Sequence, residues 1–524
     1  MHPGTHNAIK VRAEDVSPNP YLGWLNYDST MSFSSAISVA RTFAIACFLL
    51  LPCMRVSGQR GPIVKTPRGY IRGIEEKGIF VFKGIPYAAA PTGKLRFKAP
   101  APLHSWKDTL SCTRFGPVAA QYAVDTRTVK GEEDCLQLNI YTPSLQPVKG
   151  LPILVWVHGG GMTGGSGIGQ NGHSFSNNDS IITITINYRL GVFGFLYMND
   201  VPGYETAGNN ALLDCIMALK WIRENIKAFG GDPSRVTLIG ESAGAKLISS
   251  LLVTPAAKGY FNQLILESGS VNCIRDTTTA KVIRKQLMDT LGISSPAALL
   301  QLPTATLIKA QAKVLGGAKG TNYFGPVQDG ILIKEDALQY VRHHQNKNVR
   351  VLLGTNKAEA LLFMNIDRRL CMPDSTVLSD WFGDNYKYSY KAWQDIHYLP
   401  PDTAAIVTLS RYMYQLHTYR LAKALAAGGY KTWMYSFEQP NNGAPATHAE
   451  ELKYVWYEAG HNTPHNIPLA VLMHQYWVDF IKGRPLWHKY DEDHTGMIFA
   501  EESREAVMDD YEDPAHPTMG FILH

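Results

Sequence analysis

Cysteine is scarce: seven residues in 524 are too few for a disulfide framework, though enough for one or two bridges. Charge of one sign is equally thin. Fifty Lys and Arg stand against 45 Asp and Glu, a net charge of +5, and no basic run is long enough to grip a phosphate backbone, which argues against a nucleic-acid partner. There is no His-Glu-x-x-His and no Cys-x-x-Cys pattern, so neither a metal nor another cofactor is expected. No apolar run reaches the roughly 20 residues of a stable membrane span. What remains, 45% hydrophobic, 10% aromatic and 18% charged, is the make-up of a folded soluble protein and excludes disorder and collagen-like repeats.

The N-terminus reads as an address. Arg41 precedes the apolar run 43–51 (FAIACFLLL), Pro52 ends it, and Val56-Ser57-Gly58 offers small residues for cleavage. The expectation is a secretory signal over 31–58 behind an extension, 1–30, that carries Pro3, Pro18 and Pro20 and no period. The competing reading of the run is a buried helix. Cutting the leader would remove Cys47 and Cys53 and deliver one domain, 59–524, to the exterior, or to the periplasm of a bacterium.

Within 59–524, short apolar runs at 153–157, 181–186, 236–239, 264–266, 349–353 and 432–437 read as strands covered on both faces. Residues 211–229 repeat apolar side chains at helical spacing until Gly230-Gly231 stops them. This alternation predicts an α/β fold, a mostly parallel sheet flanked by helices. Residues 276–318 and 374–428 lack strand signals and are expected as helical insertions.

Two segments carry chemistry. Gly240-Glu241-Ser242-Ala243-Gly244 follows a predicted strand and opens a helical run, the context of a nucleophile elbow; the bland alternative is a chance match in a loop. Earlier, His158-Gly159-Gly160-Gly161 ends another strand. Consecutive glycines let backbone N–H groups converge on a developing oxyanion, which makes Gly160, Gly161 and the Ala243 N–H candidate donors. The rival is a phosphate loop, but no Gly-Lys-Ser/Thr follows.

These segments, with Phe82-Lys83-Gly84-Ile85-Pro86-Tyr87-Ala88, Glu133-Asp134-Cys135-Leu136, Asn187-Tyr188-Arg189-Leu190-Gly191 and Glu267-Ser268-Gly269-Ser270, resemble the type-B carboxylesterases of the cholinesterase and carboxylesterase family. The resemblance runs from about residue 61 to 490 and implies an α/β-hydrolase fold with a Ser, Glu, His triad. Carried over position by position, Ser242 is the nucleophile. Glu359, in Lys357-Ala358-Glu359-Ala360 where the family usually has Asp-Glu-Gly, is the acid. His448, in Thr447-His448-Ala449-Glu450-Glu451, is the base. His158 is the main rival for that role; His461, His465 and His474 have no comparable context. Glu241 is expected to shape the charge around the nucleophile and Ser268 to lie near the histidine. The resemblance also suggests the pairs Arg96 with Glu133 and Arg189 with Asp214.

The implied reaction is hydrolysis of neutral carboxylic esters through an acyl-enzyme, with an ester and water as the only partners and a base titrating near 6.5. An inactive adhesion or scaffold protein of the same fold and a lipase for longer acyl chains stay open. Departures are visible: Ala119 stands where the family's first loop cysteine is expected, leaving Cys112 as the only candidate for a bridge to Cys135. The loop 119–135 has Tyr122 but no tryptophan, which disfavours choline esters.

Overall fold

The computed structural model describes residues 61–524 except 206–207, 316–319, 346–347 and 462–463. The extension and leader expected at 1–58 lie outside the described residues. Eleven strands build the main sheet: β1 Ile74–Glu76, β2 Ile79–Pro86, β3 Gln137–Thr142, β4 Leu151–Val157, β5 Ile182–Ile186, β6 Gly231–Glu241, β7 Gln263–Glu267, β8 Arg350–Asn356, β9 Lys431–Phe437, β10 Thr495–Phe499 and β11 Arg504–Val507. Their order is β11-β10-β9-β8-β7-β6-β4-β5-β3-β2-β1. The seven strands from β10 to β5 run parallel, while β11 and the β3-β2-β1 edge add antiparallel pairs. All six runs expected as strands fall in this parallel block; the sequence reading missed its seventh strand, β10, and the antiparallel flanks.

Alternation within the parallel strands splits the interior in two. Ile153, Val155 and Val157 of β4 face one apolar core together with Leu238, Leu264, Leu266, Val351 and Leu353. Leu154 and Trp156 face the other, with Ile239, Ile265 and Leu352. A period of two with both phases apolar is what a sheet covered on both sides demands. The predicted helix appears as Asn210–Asn225, continued by a 3₁₀ turn Ile226–Phe229 and ended by left-handed Gly230. The insertions are helical as expected: Thr277–Leu291 and Thr304–Leu315 in the first, Ser375–Phe382, Tyr386–Asp395, Pro401–Ser410 and Leu416–Ala427 in the second. The second carries its own apolar cluster around Leu378, Trp381, Leu409 and Leu416. Among the described residues no helix is long and apolar enough to cross a membrane.

Both expected ion pairs form. Arg189 reaches Asp214 through Nε (2.8 Å) and Nη2 (2.6 Å) with both side chains buried, and Arg96 holds Glu133 while donating to the Leu300 and Leu302 carbonyls. Asp214→Ala would leave the Arg189 guanidinium buried without its counter-charge. We expect it to destabilise the fold by about 3–5 kcal/mol, read as a lowered denaturation midpoint.

Among the described residues no disulfide forms, neither between Cys112 and Cys135 nor elsewhere: Cys112, Cys135, Cys215, Cys273 and Cys371 are all free thiols. Cys112 and Cys135 pack into the larger apolar core as hydrophobic side chains, and burial raises both thiols, Cys112 to about 12.

Candidate active site

β6 lies at the centre of the sheet and leads straight into the helix Ala243–Leu252, with Ser242 alone at the turn. Its φ of +54° and ψ of −120° lie outside the regions open to ordinary residues, a strain of about 1–3 kcal/mol that the packing must hold. The flanking glycines are required by space. A Cβ on Gly240 would come within 2.6 Å of the Gly244 carbonyl carbon, and one on Gly244 within 1.9 Å of the Val157 carbonyl oxygen. Helix and strand therefore approach closely enough to lift the serine above the sheet edge, where it is 7% exposed.

The glycine loop after β4 lies against this elbow. A Cβ on Gly159 would stand 3.3 Å from the Ser242 Cβ. Gly160 and Gly161 take φ of +102° and +65°, and among the described residues neither N–H, nor that of Ala243, donates a hydrogen bond. Three uncommitted donors beside a serine are the arrangement an oxyanion needs. Gln121 pins the far end of the loop: its amide donates to the Ala119 and Gly165 carbonyls and accepts from the Gly165 N–H. His158 serves the loop as well. Its Nδ1 lies 2.8 Å from the Gly159 carbonyl, its ring stacks on Tyr188 at 4.4 Å, and burial lowers its pKa to about 4. It is a neutral structural group, which removes the rival to His448.

The acid comes from the loop after β8 and the base from the loop after β9. Glu359 is fully buried, its Oε1 accepting from the Ser268 hydroxyl (2.6 Å) and the Asn356 N–H (2.8 Å), its Oε2 2.5 Å from His448 Nδ1. Ser268, expected near the histidine, thus acts one step away, by fixing the acid. Asn356 ties the two loops together by donating its amide to the Thr447 carbonyl and to Glu451. The structure brings Ser242, Glu359, His448, Glu241, Ser268 and the glycine loop into one place.

The imidazole is not hydrogen-bonded to Ser242. Its Nε2 lies 3.0 Å from Glu241 Oε1, an ion-pair contact, and 3.5 Å from the Tyr414 hydroxyl, which also hydrogen-bonds Ser242. Burial alone would lower the His448 pKa, but the charges of Glu241 and then Glu359 overcome it and raise it to about 10. The expected value near 6.5 is therefore corrected upward. Two further buried carboxyls stand behind the pair. Burial raises Glu267 and Glu451, the latter to about 8, and the neighbouring charges of Glu241 and Glu359 add to the effect at Glu451.

Tyr414, Asn356, Glu451 and Gln121 escaped the sequence reading. Glu451 lies in the segment quoted for His448 and Asn356 directly precedes the one quoted for Glu359, so their proximity was legible. Tyr414 sits in a π-helical turn, Arg411–Gln415, of the second insertion, where nothing local marks it. Tyr122 is not at the site. It belongs to a small hairpin, Gln121–Ala123 with Thr128–Lys130, and packs against the larger core. The rings on His448 are Phe363, at 5.1 Å, and Tyr414, at 4.6 Å.

A strained serine, a carboxylate-anchored imidazole and a glycine loop at the ends of parallel strands define the serine hydrolases of the α/β-hydrolase fold. Residues 60–506 match the carboxylesterase family model, and the chain belongs to that family. It is 35% identical over 417 residues to a para-nitrobenzyl esterase of Bacillus subtilis (strain 168), covering 75% of this chain and 82% of the relative. It is 31% identical to a fumonisin B1 esterase of Sphingopyxis macrogoltabida, over 90% of each. The crystal structure of a Geobacillus stearothermophilus carboxylesterase matches with a TM-score of 0.75 at 31% identity, covering 85% of this chain and 97% of the other. The protein is a serine carboxylic ester hydrolase.

Proposed function

We propose that Ser242, His448 and Glu359 cleave esters whose alcohol carries no quaternary ammonium. The observation that carries the assignment is the 2.5 Å Glu359–His448 contact, fixed from behind by Ser268 and Asn356, beside the strained Ser242. A small turn of the imidazole from Glu241 to Ser242 makes Nε2 the acceptor of the serine proton. Ser242 Oγ then attacks the ester carbonyl, and the Gly160, Gly161 and Ala243 N–H groups take the oxyanion. The imidazolium returns its proton to the departing alcohol. Water, activated by the same nitrogen, releases the acid and restores the serine.

The raised pKa fixes the pH dependence. The base works only when neutral, so kcat/KM should rise with pH along a limb displaced to the alkaline side of 6.5. Glu241→Gln removes the larger of the two raising charges, and the limb should move back toward 6.5. A profile for the variant that coincides with the wild type would show that Glu241 does not set this pKa.

The substrate reading rests on what surrounds the imidazole. The one ring that the loop 119–135 offers, Tyr122, is half-buried and packs against the larger core, whereas the rings on His448 are Phe363 and Tyr414. We expect a neutral ester to give a higher kcat/KM than an acylcholine with the same acyl group. A clear preference for the choline ester overturns this reading, since desolvated cation-π contact is worth about 2 kcal/mol or more, enough to dominate the comparison.

A further inference from the structure

One turn beyond the nucleophile, the helix Ala243–Leu252 carries a residue that none of the steps above uses. Lys246 is 3% exposed, and its backbone N–H donates to the Ser242 carbonyl at 2.9 Å, as the first turn of the helix requires. Among the described residues its ammonium has no hydrogen bond and no carboxylate partner; it lies over the Tyr414 ring, 4.7 Å from Nζ to centroid. Burial lowers its pKa to about 8, against the raising effects of Cys273 and Glu359. A buried lysine without a counter-charge is expensive unless something is meant to pair with it.

The side chain opens into a cavity of about 20 Å³, room for one small polar group. Asn272, Asn322, Phe363, Trp381 and Tyr414 are among its walls. Phe363 and Tyr414 are also the two rings packed on His448, so the cavity and the reacting centre share these two side chains as a common wall. Its polar groups favour an anion. The Asn272 amide makes no hydrogen bond among the described residues and is available as a donor. The buried Arg275, which donates to the Asn322 carbonyl at 2.9 Å, adds to the positive potential at Lys246. The nearest acids, Glu359 and Glu241, are both engaged with His448.

We propose that Lys246 and Asn272 form an anion subsite that receives a carboxylate at the far end of the substrate's acyl chain, so that the preferred substrates are half-esters of short dicarboxylic acids. The subsite deepens the reading of the reaction given above and rests on it, with the charge on the acyl side and the alcohol uncharged. A carboxylate entering past Phe363 and Tyr414 supplies the missing counter-ion in a place that water reaches poorly, where a charge-assisted hydrogen bond is strongest. It also anchors the far end of the acyl group, and binding energy spent away from the scissile bond serves to orient it.

The test compares 4-nitrophenyl hemisuccinate with 4-nitrophenyl butyrate, which share a leaving group and differ in the terminal charge. For the wild type, kcat/KM should favour the hemisuccinate by about tenfold or more, the effect of one good ionic contact. Lys246→Met, similar in length and uncharged, should abolish that preference, chiefly through KM for the hemisuccinate, and leave the butyrate rate near the wild-type value. Equal rates on the two esters, or a preference for butyrate, in the wild type overturns the proposal whether or not the variant folds. So does a Lys246→Met protein that folds and keeps the hemisuccinate preference. If the wild type cleaves neither ester, it is the reading of the reaction that fails; if it cleaves butyrate alone, only the anion subsite does.

Discussion

Ser242→Ala should abolish ester hydrolysis, and His448→Ala should cost about as much, each in the range of roughly 10⁴- to 10⁶-fold in kcat, because groups that act as a unit are lost as a unit. Neither substitution should unfold the protein. Ser242 contributes no cap hydrogen bond to its helix, so removing its hydroxyl costs the turn only the contact with Tyr414. His448 is different in one respect, since its loss leaves Glu359 without the partner at Oε2. Circular dichroism and denaturation midpoints close to those of the wild type, together with activity at the uncatalysed background, are the expected results. Substantial turnover by either purified variant would remove that residue from the mechanism.

The second large effect is expected at Glu359→Gln, at about 10⁴-fold in kcat, and the hydrogen bonds around the carboxylate explain why so small a change matters. Both donors on Oε1, the Ser268 hydroxyl and the Asn356 N–H, require an acceptor there. In glutamine they fix the amide oxygen at that position and turn the NH₂ toward His448 Nδ1. The imidazole must then accept at Nδ1 and carry its proton on Nε2, the tautomer that cannot take a proton from serine. Ser268→Ala relaxes this constraint, so the double variant Ser268→Ala/Glu359→Gln should lose less than the product of the two single losses. A fully multiplicative result would mean that the two residues act independently.

Much of this was legible in the sequence, and the parts that were not share a cause. The parallel strands announced themselves because β4 to β9 are apolar in both phases, which burial on two faces requires. β3 (QLNIYT) mixes in Asn139, and β10 (TGMIF) contains a glycine, so neither shows a strand pattern although both are paired. Ser242 and the glycine loop are local motifs whose geometry is encoded within a few residues. Glu359 and His448 have no local geometry of their own and were placed by family resemblance. Tyr414 and Lys246 had neither kind of signal: one reaches the site from a distant helix, and the other is a charged residue inside an apolar helical run whose role depends on what lies opposite. The titration of His448 went unforeseen for the same reason, since it is set by Glu241 meeting the ring across a fold that the sequence does not display as neighbours.

The three strands that bear the triad set an order of events in biosynthesis. Ser242 follows β6, Glu359 follows β8 and His448 follows β9, so no fragment ending before Phe437 contains the site. Each parallel pairing must close a long loop before it gains anything, which makes such sheets slow to complete. A nascent chain carries Ser242 and its oxyanion loop well before the base is synthesised, and the nucleophile is inert throughout that interval. The enzyme cannot attack esters in the compartment where it is made until its sheet is nearly closed, so the topology that delays folding also delays reactivity.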